Sequence, residues 1–207
     1  MSLIAVFVSG FTTFLTFFDE RYTLTAAIAN VGSGTQQSAG YSDDVGLNVT
    51  YQNYVKPTFI LSNRGTRSLV LTDVNLVRSS KLDACEASTD VVSPIDADSL
   101  GTIILDPDSV QSLTREYRIS RITVHYDRKP APASAADSLN AEHEPQTWCL
   151  QLIVFDHRGR RMEPLLEAMT MEPTFEPMGP EDDYPTGTMA IEHPIAANQL
   201  LSRGALF

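Results

Sequence analysis

The stretch TFILSNRGTRSLVLTDVNLV, residues 58–77, contains two apolar runs on either side of a short polar break. Alternate positions of the second run share one face: Val70, Thr72, Val74 and Leu76. This two-residue period is that of a β-strand. At the break, Asn63 and Gly65 are residues that tolerate a positive φ, which a tight reversal requires. The stretch therefore predicts two strands joined by a turn.

Similar short runs, rich in Val, Ile, Thr, Tyr and Phe, follow one another from residue 22 onward, and clusters of Gly, Pro, Asn, Asp and Ser separate them. The predicted strands are residues 22–30, 46–54, 57–62, 68–77, 102–105, 112–126 and 148–156, with a shorter one after Gly159. No convincing amphipathic helix lies between them. Seven to eight such strands predict a mainly-β domain over residues 22–162, built as two antiparallel sheets packed face to face.

The stretch at residues 58–77 resembles the immunoglobulin-like β-sandwich modules of bacterial envelope proteins, in which an apolar strand, an Asn-x-Gly turn and a strand ending in Asp-Val recur. The chain is also similar to small bacterial proteins of unknown function that join one amino-terminal span to such a sandwich. This resemblance implies an immunoglobulin-like fold and a place in the bacterial inner membrane. The extracytoplasmic side is favoured for the soluble domain, and the cytoplasmic side stays open. It carries over no catalytic residue.

Residues 3–18, LIAVFVSGFTTFLTFF, carry no charged side chain, and Asp19, Glu20 and Arg21 follow directly. As a helix, residues 1–18 span about 27 Å, close to the ~30 Å hydrocarbon layer of a bilayer. We therefore expect residues 1–21 to form one transmembrane anchor helix. Its bulky face, suited to lipid, consists of Phe7, Phe11, Phe14 and Phe18. Its small face, suited to packing against another membrane helix, consists of Ser9, Thr13 and Thr16.

Two other interpretations of this amino-terminal segment stay open. It also fits a cleaved secretory signal, in which Ala27 and Ala29 form an A-x-A site, although a basic leader is missing. Its length and its aromatic and β-branched residues also fit a buried core helix or a pair of core strands. The few nearby basic residues do not decide which side of the membrane the domain occupies.

Two further segments are expected to lie outside the sandwich. Residues 128–145, RKPAPASAADSLNAEHEP, are rich in Pro, Ala and Ser and predict a long surface loop. Residues 163–207 hold six of the twelve prolines and eight acidic residues against one basic residue. This composition predicts an extended acidic tail, which either docks on a partner or on the sandwich through its apolar residues, or is disordered.

Composition and motifs exclude several classes of chemistry. The chain has 26 acidic and 15 basic residues and a net charge of −11, so it lacks the basic surface of a nucleic-acid binder. It has no G-x-S-x-G, H-E-x-x-H, Walker or dinucleotide-binding motif. The glycine cluster at residues 32–34 is interpreted as a linker, and the basic turn at residues 156–161 as a charged hairpin tip. We assign no catalytic residue, no cofactor and no metal ligand.

The two cysteines are candidates for a disulfide bond. Cys85 lies in a loop after the predicted strand 68–77, and Cys149 begins the predicted strand 148–156. A bond between them would close a loop of ~64 residues and stabilise the fold by about 4 kcal/mol, provided the compartment is oxidising. Two separate free thiols are the alternative.

These features predict a single-pass, membrane-anchored β-sandwich that works as a binding or accessory subunit through protein–protein interaction. The expected partners are membrane lipid and another membrane or envelope protein, contacted through the anchor helix, the loops or the tail. Two alternatives are a soluble secreted binding module and a hydrolase-type enzyme with a site of loop carboxylates and His125 or His157. A concave pocket with convergent polar groups would favour the enzyme.

Overall fold

The computed structural model describes residues 22–42, 46–81, 85, 90–95, 101–126, 132–177, 184–192 and 198–203. Their elements, in chain order, are β1 (Tyr22–Ser42), β2 (Gly46–Asn63), β3 (Leu69–Arg78), β4 (Val91–Val92), β5 (Ile103–Leu105), β6 (Ser109–Thr114), β7 (Tyr117–Tyr126), α1 (Pro132–Glu142), β8 (Gln146–Phe155), β9 (Arg161–Met162), β10 (Leu165–Glu176), β11 (Thr186–Glu192) and β12 (Asn198–Arg203).

The strands form two antiparallel sheets. Sheet A has the order β12-β1-β2, and β6 and β7 follow one another along the far side of β2. Sheet B has the order β11-β10-β8-β3-β4, with β5 also on β3 and β9 also on β8. The main core unites buried residues of both sheets, such as Phe59 and Leu61 from sheet A with Leu71 and Leu152 from sheet B. The prediction of a mainly-β protein with two antiparallel sheets is confirmed.

Two differences from the predicted strands meet at Pro57, and the chemistry of this proline accounts for the second of them. The expected strands at 46–54 and 57–62 are one continuous strand, β2, whereas the expected strand at 112–126 is divided into β6 and β7. Pro57 has no backbone N–H, so it cannot complete a ladder of hydrogen bonds on both sides. Its carbonyl still accepts the backbone N–H of Arg115 at 3.1 Å, at the point where β6 ends and before β7 begins.

The polar break at residues 63–68 connects the two sheets. Its turn is built by a side chain, because the fully buried amide of Asn63 donates to the carbonyls of Arg67 and Leu105 and accepts the N–H of Gly65. Neither Asn63 nor Gly65 adopts a positive φ. The turn was therefore expected in the right place, but the conformational reason for it was wrong.

Helix α1 replaces most of the predicted surface loop. Ala135, Ala136 and Leu139 of this helix are buried. Ala136 and Leu139 pack with Leu47 and Val49 of β2 in a second, smaller core. The small residues that suggested a loop instead let the helix approach the sheet closely, so the segment is not a dispensable surface loop.

The expected extended tail also belongs to the sandwich wherever it is described. β10 pairs with β8 and β11 in sheet B, and β12 pairs with β1 in sheet A. Met169, Met171 and Phe175 of β10 are buried. This corrects the expectation that residues after 163 lie outside the sandwich, because their alternating apolar residues fill its interior.

The predicted anchor, residues 1–21, lies outside the described residues, and so do its phenylalanine face (Phe7, Phe11, Phe14, Phe18) and its small face (Ser9, Thr13, Thr16). Within the described part of the chain, no helix has both the length and the hydropathy needed to cross a bilayer.

Candidate functional site

The most unusual feature of the sandwich is the outer edge of β1. On one side β1 pairs with β2 from Leu24 to Ser42. On its other side it pairs with β12 only from Tyr22 to Ala26. Beyond that point no described strand forms a ladder of hydrogen bonds with this side of β1, although β11 lies alongside and its Gly187 packs against the side chain of Thr35. Since alternate residues of a strand direct their backbone N–H and C=O groups to opposite sides, residues 28–42 present a row of such groups away from the sheet.

This open edge lacks the usual protection against pairing. β1 is 21 residues long and contains no Asp, Glu, Lys, Arg, His or Pro. Sheet edges are ordinarily protected by charged residues, prolines, bulges or short strands. Among the other described edges, β4 and β5 are short, with two and three residues, and the β6–β7 edge contains Arg115, Glu116 and Arg118. The bulge of β1, between Ile28 and Asn30, lies at the start of the open range.

Two glycines leave part of this edge bare. Gly32 and Gly34 lie opposite Lys56 and Tyr54 of β2 and border a shallow depression of about 290 Å³. Neither glycine has a positive φ. A Cβ at Gly34 would meet nothing within 4 Å, and one at Gly32 would meet only Lys56, at 3.8 Å. Neither conformation nor internal packing therefore requires glycine here, whereas close approach of another backbone would benefit from it.

A polar row across sheet A holds β1 in register. Thr35, Asn53 and Ser120 are direct cross-strand partners on β1, β2 and β7. The hydroxyl of Thr35 donates to Asn53 Oδ1 at 2.8 Å, and Asn53 Nδ2 donates to Ser120 Oγ at 2.8 Å. Asn53 is buried. A shift of β1 by one residue would remove Thr35 from Oδ1 of this buried amide, so the register of β1 is defined at this point.

The second core supports the far half of the same edge. Tyr51 of β2 is fully buried, and its hydroxyl donates to the carbonyl of Pro185 at 2.9 Å. Burial, with a further contribution from Tyr126 and Tyr184, raises the pKa of Tyr51 far above its ordinary value, so its hydroxyl stays protonated. The ring of Phe175 meets Tyr51 edge-on at 5.0 Å.

Helix α1 completes this second core through one side chain. The amide of Asn140 donates to the carbonyl of Phe175 at 2.9 Å and accepts its N–H at 2.8 Å. This part of β10 extends past β8, with which β10 pairs only up to Met171. Asn140 therefore takes the place of a neighbouring strand and satisfies both backbone groups of Phe175.

The described cavities offer no obvious catalytic centre. A cavity of about 220 Å³ lies between the sheets and is bordered by Ser120, His143, Trp148 and Met171, among others. A surface groove of about 640 Å³ lies beside it and contains Arg78 and Lys81 together with Asp90 and Glu144. The groove has charges of both signs, and Arg78 forms an ion pair with Asp90. Its charge therefore selects neither an anion nor a cation.

The candidate disulfide residues are bonded to each other. The sulfur atoms of Cys85 and Cys149 are 2.01 Å apart, and the Cα atoms are 5.9 Å apart. Cys149 lies on β8 and is fully buried, opposite Val77 of β3. The bond ties the loop after β3 to the centre of sheet B.

The histidines and carboxylates considered for chemistry are dispersed. His125 is hydrogen-bonded to Asn48 at 2.8 Å, His143 to the carbonyl of Leu139 at 2.8 Å, and His157 lies in an exposed turn. Asp106, which begins the turn after β5, accepts a hydrogen bond from Ser68, which precedes β3. Among the described residues, no group of three His, Cys, Asp or Glu side chains could hold a metal ion.

The basic turn after β8 has a structural centre. Asp156 has a fully buried side chain and accepts the backbone N–H groups of Arg158 and Arg160 at 2.9 and 2.8 Å. Its other oxygen lies 2.9 Å from the Arg160 guanidinium. Burial alone would raise the pKa of Asp156, but these hydrogen bonds and the Arg160 charge outweigh it and lower the pKa. The turn is therefore organised around its one acid.

The chain matches no protein-family model, and no curated protein is similar enough to count as a relative. Its class is defined by its architecture: a mainly-β protein of two packed antiparallel sheets, in whose described part the long, uncharged strand β1 is paired on its outer side only from Tyr22 to Ala26. Sequence reasoning missed this edge, because the Gly-Ser-Gly at residues 32–34 suggested a linker. The absence of charge and proline throughout β1 was the signal that could have revealed it.

Proposed function

We propose that this protein is a binding subunit, tethered to a membrane by residues 1–21, that works through protein–protein contact at the open edge of β1. The immunoglobulin-like classification of its sandwich and the transmembrane helix are part of this proposal. The observation that carries it is the uncharged, proline-free length of β1 at residues 28–42, where no described strand forms a ladder of hydrogen bonds with its outer side.

Strand addition is the mode of binding that such an edge supports. A partner strand placed beside β1 forms backbone hydrogen bonds with its exposed N–H and C=O groups, and these supply affinity without a deep pocket. The bare backbone at Gly32 and Gly34 allows close approach. The hydrogen-bonded row through Asn53 keeps the edge in place before a partner arrives, which lowers the entropic cost of binding.

Membrane attachment is supported by the uncharged run at residues 3–18 and by its position in the chain. The predicted helix ends directly before β1, so the tether would be joined to the strand that carries the proposed binding edge. Confinement to a membrane raises the effective concentration of a partner that is also attached there. A weak strand-pairing surface would gain most from this confinement.

Site-specific photo-crosslinking in membranes tests the proposal. A photoreactive amino acid replaces Ser38, which is exposed on the open edge, in the full-length chain. The matched control carries it at Val110, which is 63% exposed on β6 at the opposite edge of sheet A. We expect a protein adduct from position 38 and none from position 110. Equal labelling at both positions, or none, would refute binding at β1.

Carbonate extraction tests the tether separately. We expect the full-length chain to stay with the membrane pellet, because a spanning helix is not released by high pH. Recovery of the intact chain in the supernatant would refute the tether but leave the binding edge untouched.

A further inference from the structure

We infer that one end of the sandwich docks on anionic lipid headgroups of the bilayer that holds the proposed tether. This arginine end consists of the turn at residues 63–68, between β2 and β3, and the basic turn at residues 156–161, after β8. The inference rests on the membrane attachment in the proposed function. It specifies which class of lipid the domain contacts and which residues make the contact.

Strand pairing places both turns at the end of the sandwich where β1 begins. The backbone N–H of Arg64 donates to the carbonyl of Thr23, the second residue of β1, at 2.8 Å. Val70, near the start of β3, lies opposite Phe155, the last residue of β8. The proposed tether ends at residue 21, so both turns lie at the end of the domain to which it is joined.

Five arginines and a single acid lie in these two turns. The acid is Asp156, whose fully buried carboxylate is occupied by Arg160 and by two backbone N–H groups of its own turn. Four of the arginines have exposed side chains, and the fifth is half-buried. The four exposed ones are Arg64, Arg158, Arg160 and Arg161, and the half-buried one is Arg67.

Three further acids lie at the arginine end. Asp106 and Asp108 belong to the turn between β5 and β6, where Asp106 accepts a hydrogen bond from Ser68. Glu163 lies 2.9 Å from Arg161. Five arginines against four acids give this end a charge of +1, whereas the whole chain carries −11. The remaining residues of the chain therefore carry −12.

This contrast in charge favours one orientation of the domain toward a negative surface. Residues 19–21, which precede β1, and Arg203, which lies opposite Tyr22, add no net charge to the arginine end. At physiological ionic strength charges are screened over about 8 Å. Acids elsewhere on the domain therefore repel an anionic bilayer only weakly when the arginine end faces it.

Arginine side chains are well suited to lipid phosphate. The guanidinium group donates two parallel hydrogen bonds to phosphate oxygens, and each basic residue near an anionic leaflet adds to the attraction. An acidic protein would offer similar oxygen acceptors. The bilayer is favoured because the chain itself joins the proposed tether to this end.

Exposed apolar side chains reinforce this assignment. Ile104, on β5, is 58% exposed and lies opposite Val70, next to the first residue of β3. Val110, on β6, is 63% exposed and lies opposite Ser62, next to the last residue of β2. Apolar side chains of a basic surface enter the boundary between headgroups and acyl chains, while the charged ones stay at the phosphates. The arginine end offers both contacts.

Two exposed arginines provide a variant that spares the fold. Arg64→Gln/Arg158→Gln removes two positive charges from the arginine end and keeps polar side chains at both positions. Arg160 and Arg161 stay in place because both pair with acids of the same end. The variant should therefore melt as the wild type does, which circular dichroism checks.

The matched control removes the same charge from another surface. It is Arg118→Gln/Arg121→Gln, at two exposed positions of β7. These positions lie opposite Tyr54 and Gln52 of β2. Tyr54 is nine residues from Asn63, which ends that strand, so the control charges lie about 30 Å from the arginine end.

Lipid crosslinking in vesicles of two compositions tests the inference. A photoreactive amino acid replaces Thr66, which is exposed in the turn at residues 63–68, in the full-length chain. The chain is reconstituted in vesicles of phosphatidylcholine, alone or mixed with phosphatidylglycerol, and lipid adducts are quantified by mass spectrometry. We expect about fivefold more adduct in the anionic vesicles. The same probe at Ser38, about 50 Å further along β1, should give none.

The variants show whether the arginines cause this preference. We expect Arg64→Gln/Arg158→Gln to lower the adduct at position 66 in anionic vesicles by about fivefold, and the Arg118→Gln/Arg121→Gln control to leave it unchanged. Equal adducts in both kinds of vesicle, or equal losses in both variants, would overturn the inference.

Carbonate extraction of the same samples separates this inference from the tether. If chains that stay with the vesicles give no lipid adduct at position 66, the inference fails and the tether stands. A protein adduct at that position in native membranes would then assign the surface to an acidic partner. If carbonate releases chains that gave the adduct in anionic vesicles beforehand, the tether fails and the arginine end binds lipid by itself. Chains that are released and give no adduct refute both.

Discussion

Removal of the Cys85–Cys149 disulfide is expected to lower the free energy of unfolding by about 4 kcal/mol. The bonded residues are 64 positions apart in the chain, and the chain-entropy relation gives about 14 cal/mol/K for a loop of that length, or about 4 kcal/mol at 25 °C. The closed loop contains β4 to β7 and α1, so the bond restricts a large part of the unfolded chain. The Cα distance of 5.9 Å lies within the common range for disulfides.

The variant is Cys85→Ser/Cys149→Ala. Alanine is chosen at position 149 because Cys149 is fully buried, and a serine there would bury a hydroxyl group. For a chain of this size, about 4 kcal/mol corresponds to a decrease in Tm of about 10 °C. Circular dichroism melts of the full-length chain in detergent measure this decrease, with reduced wild type as the control for the loss of the bond alone.

The control also separates two causes of destabilisation. If loop closure is the main effect, reduced wild type should melt close to the variant, and both should melt well below oxidised wild type. A decrease of less than about 3 °C on reduction would refute the entropic reasoning, since that corresponds to only about 1 kcal/mol. A large decrease in the variant alone would instead indicate lost packing at Cys149.

Three further changes test the packing around the candidate site. Gly187→Ala places a Cβ 3.0 Å from Tyr51 Cδ1 and 3.3 Å from Phe175 and Thr35, so we expect the free energy of unfolding in urea to fall by about 1–3 kcal/mol. The matched control is Gly34→Ala, whose Cβ would meet nothing within 4 Å. An equal fall in both variants would contradict this account. Asn140→Ala leaves the backbone N–H and C=O of Phe175 without this partner, so the free energy of unfolding should fall by about 1–3 kcal/mol and hydrogen exchange of the Phe175 amide should become faster. Unchanged hydrogen exchange would show that α1 does not protect this strand. Asp156 has a lowered pKa in the folded state, so its contribution to the free energy of unfolding is present above pH ~4 and is lost as pH falls through the folded pKa. Asp156→Asn keeps an acceptor for the backbone N–H groups of Arg158 and Arg160, so the loss of stability relative to wild type should shrink below pH ~4. A loss of stability that does not change with pH would exclude the ionised carboxylate as its cause.

The local patterns of the sequence identified most of the strands but not their connections. The alternation from Val70 to Leu76 predicted β3, and the run from Trp148 predicted β8. The predicted common face of β3 was wrong, because a bulge between Leu71 and Asp73 separates half-buried Val70 and Thr72 from buried Val74 and Leu76. Both strands are buried in the main core, where apolar side chains decide secondary structure. At Pro57, by contrast, the strand limits depended on which strands lay alongside, and this information is absent from a local pattern.

Residues after 127 were the least predictable part. Ala136 and Leu139 are ordinary helix formers in a segment rich in Pro, Ala and Ser, and only contact with Leu47 and Val49 makes them part of a second core. The methionines of β10 lie among acids and prolines, yet Met169 and Met171 are fully buried or nearly so. In both cases long-range packing overrode the local composition, as is common for strands and for marginal helices.

The sequence by itself determined that the chain is mainly β, strongly acidic and free of recognisable catalytic motifs, because alternation, composition and charge are local properties that need no neighbours. Only the tertiary structure decided which strand has an open edge, because that depends on which strands lie beside β1 and where their pairing ends. The same Gly-Ser-Gly that resembles a linker in isolation becomes a bare, ordered strand once β2 lines up against it. Backbone pairing over long sequence separations made that difference.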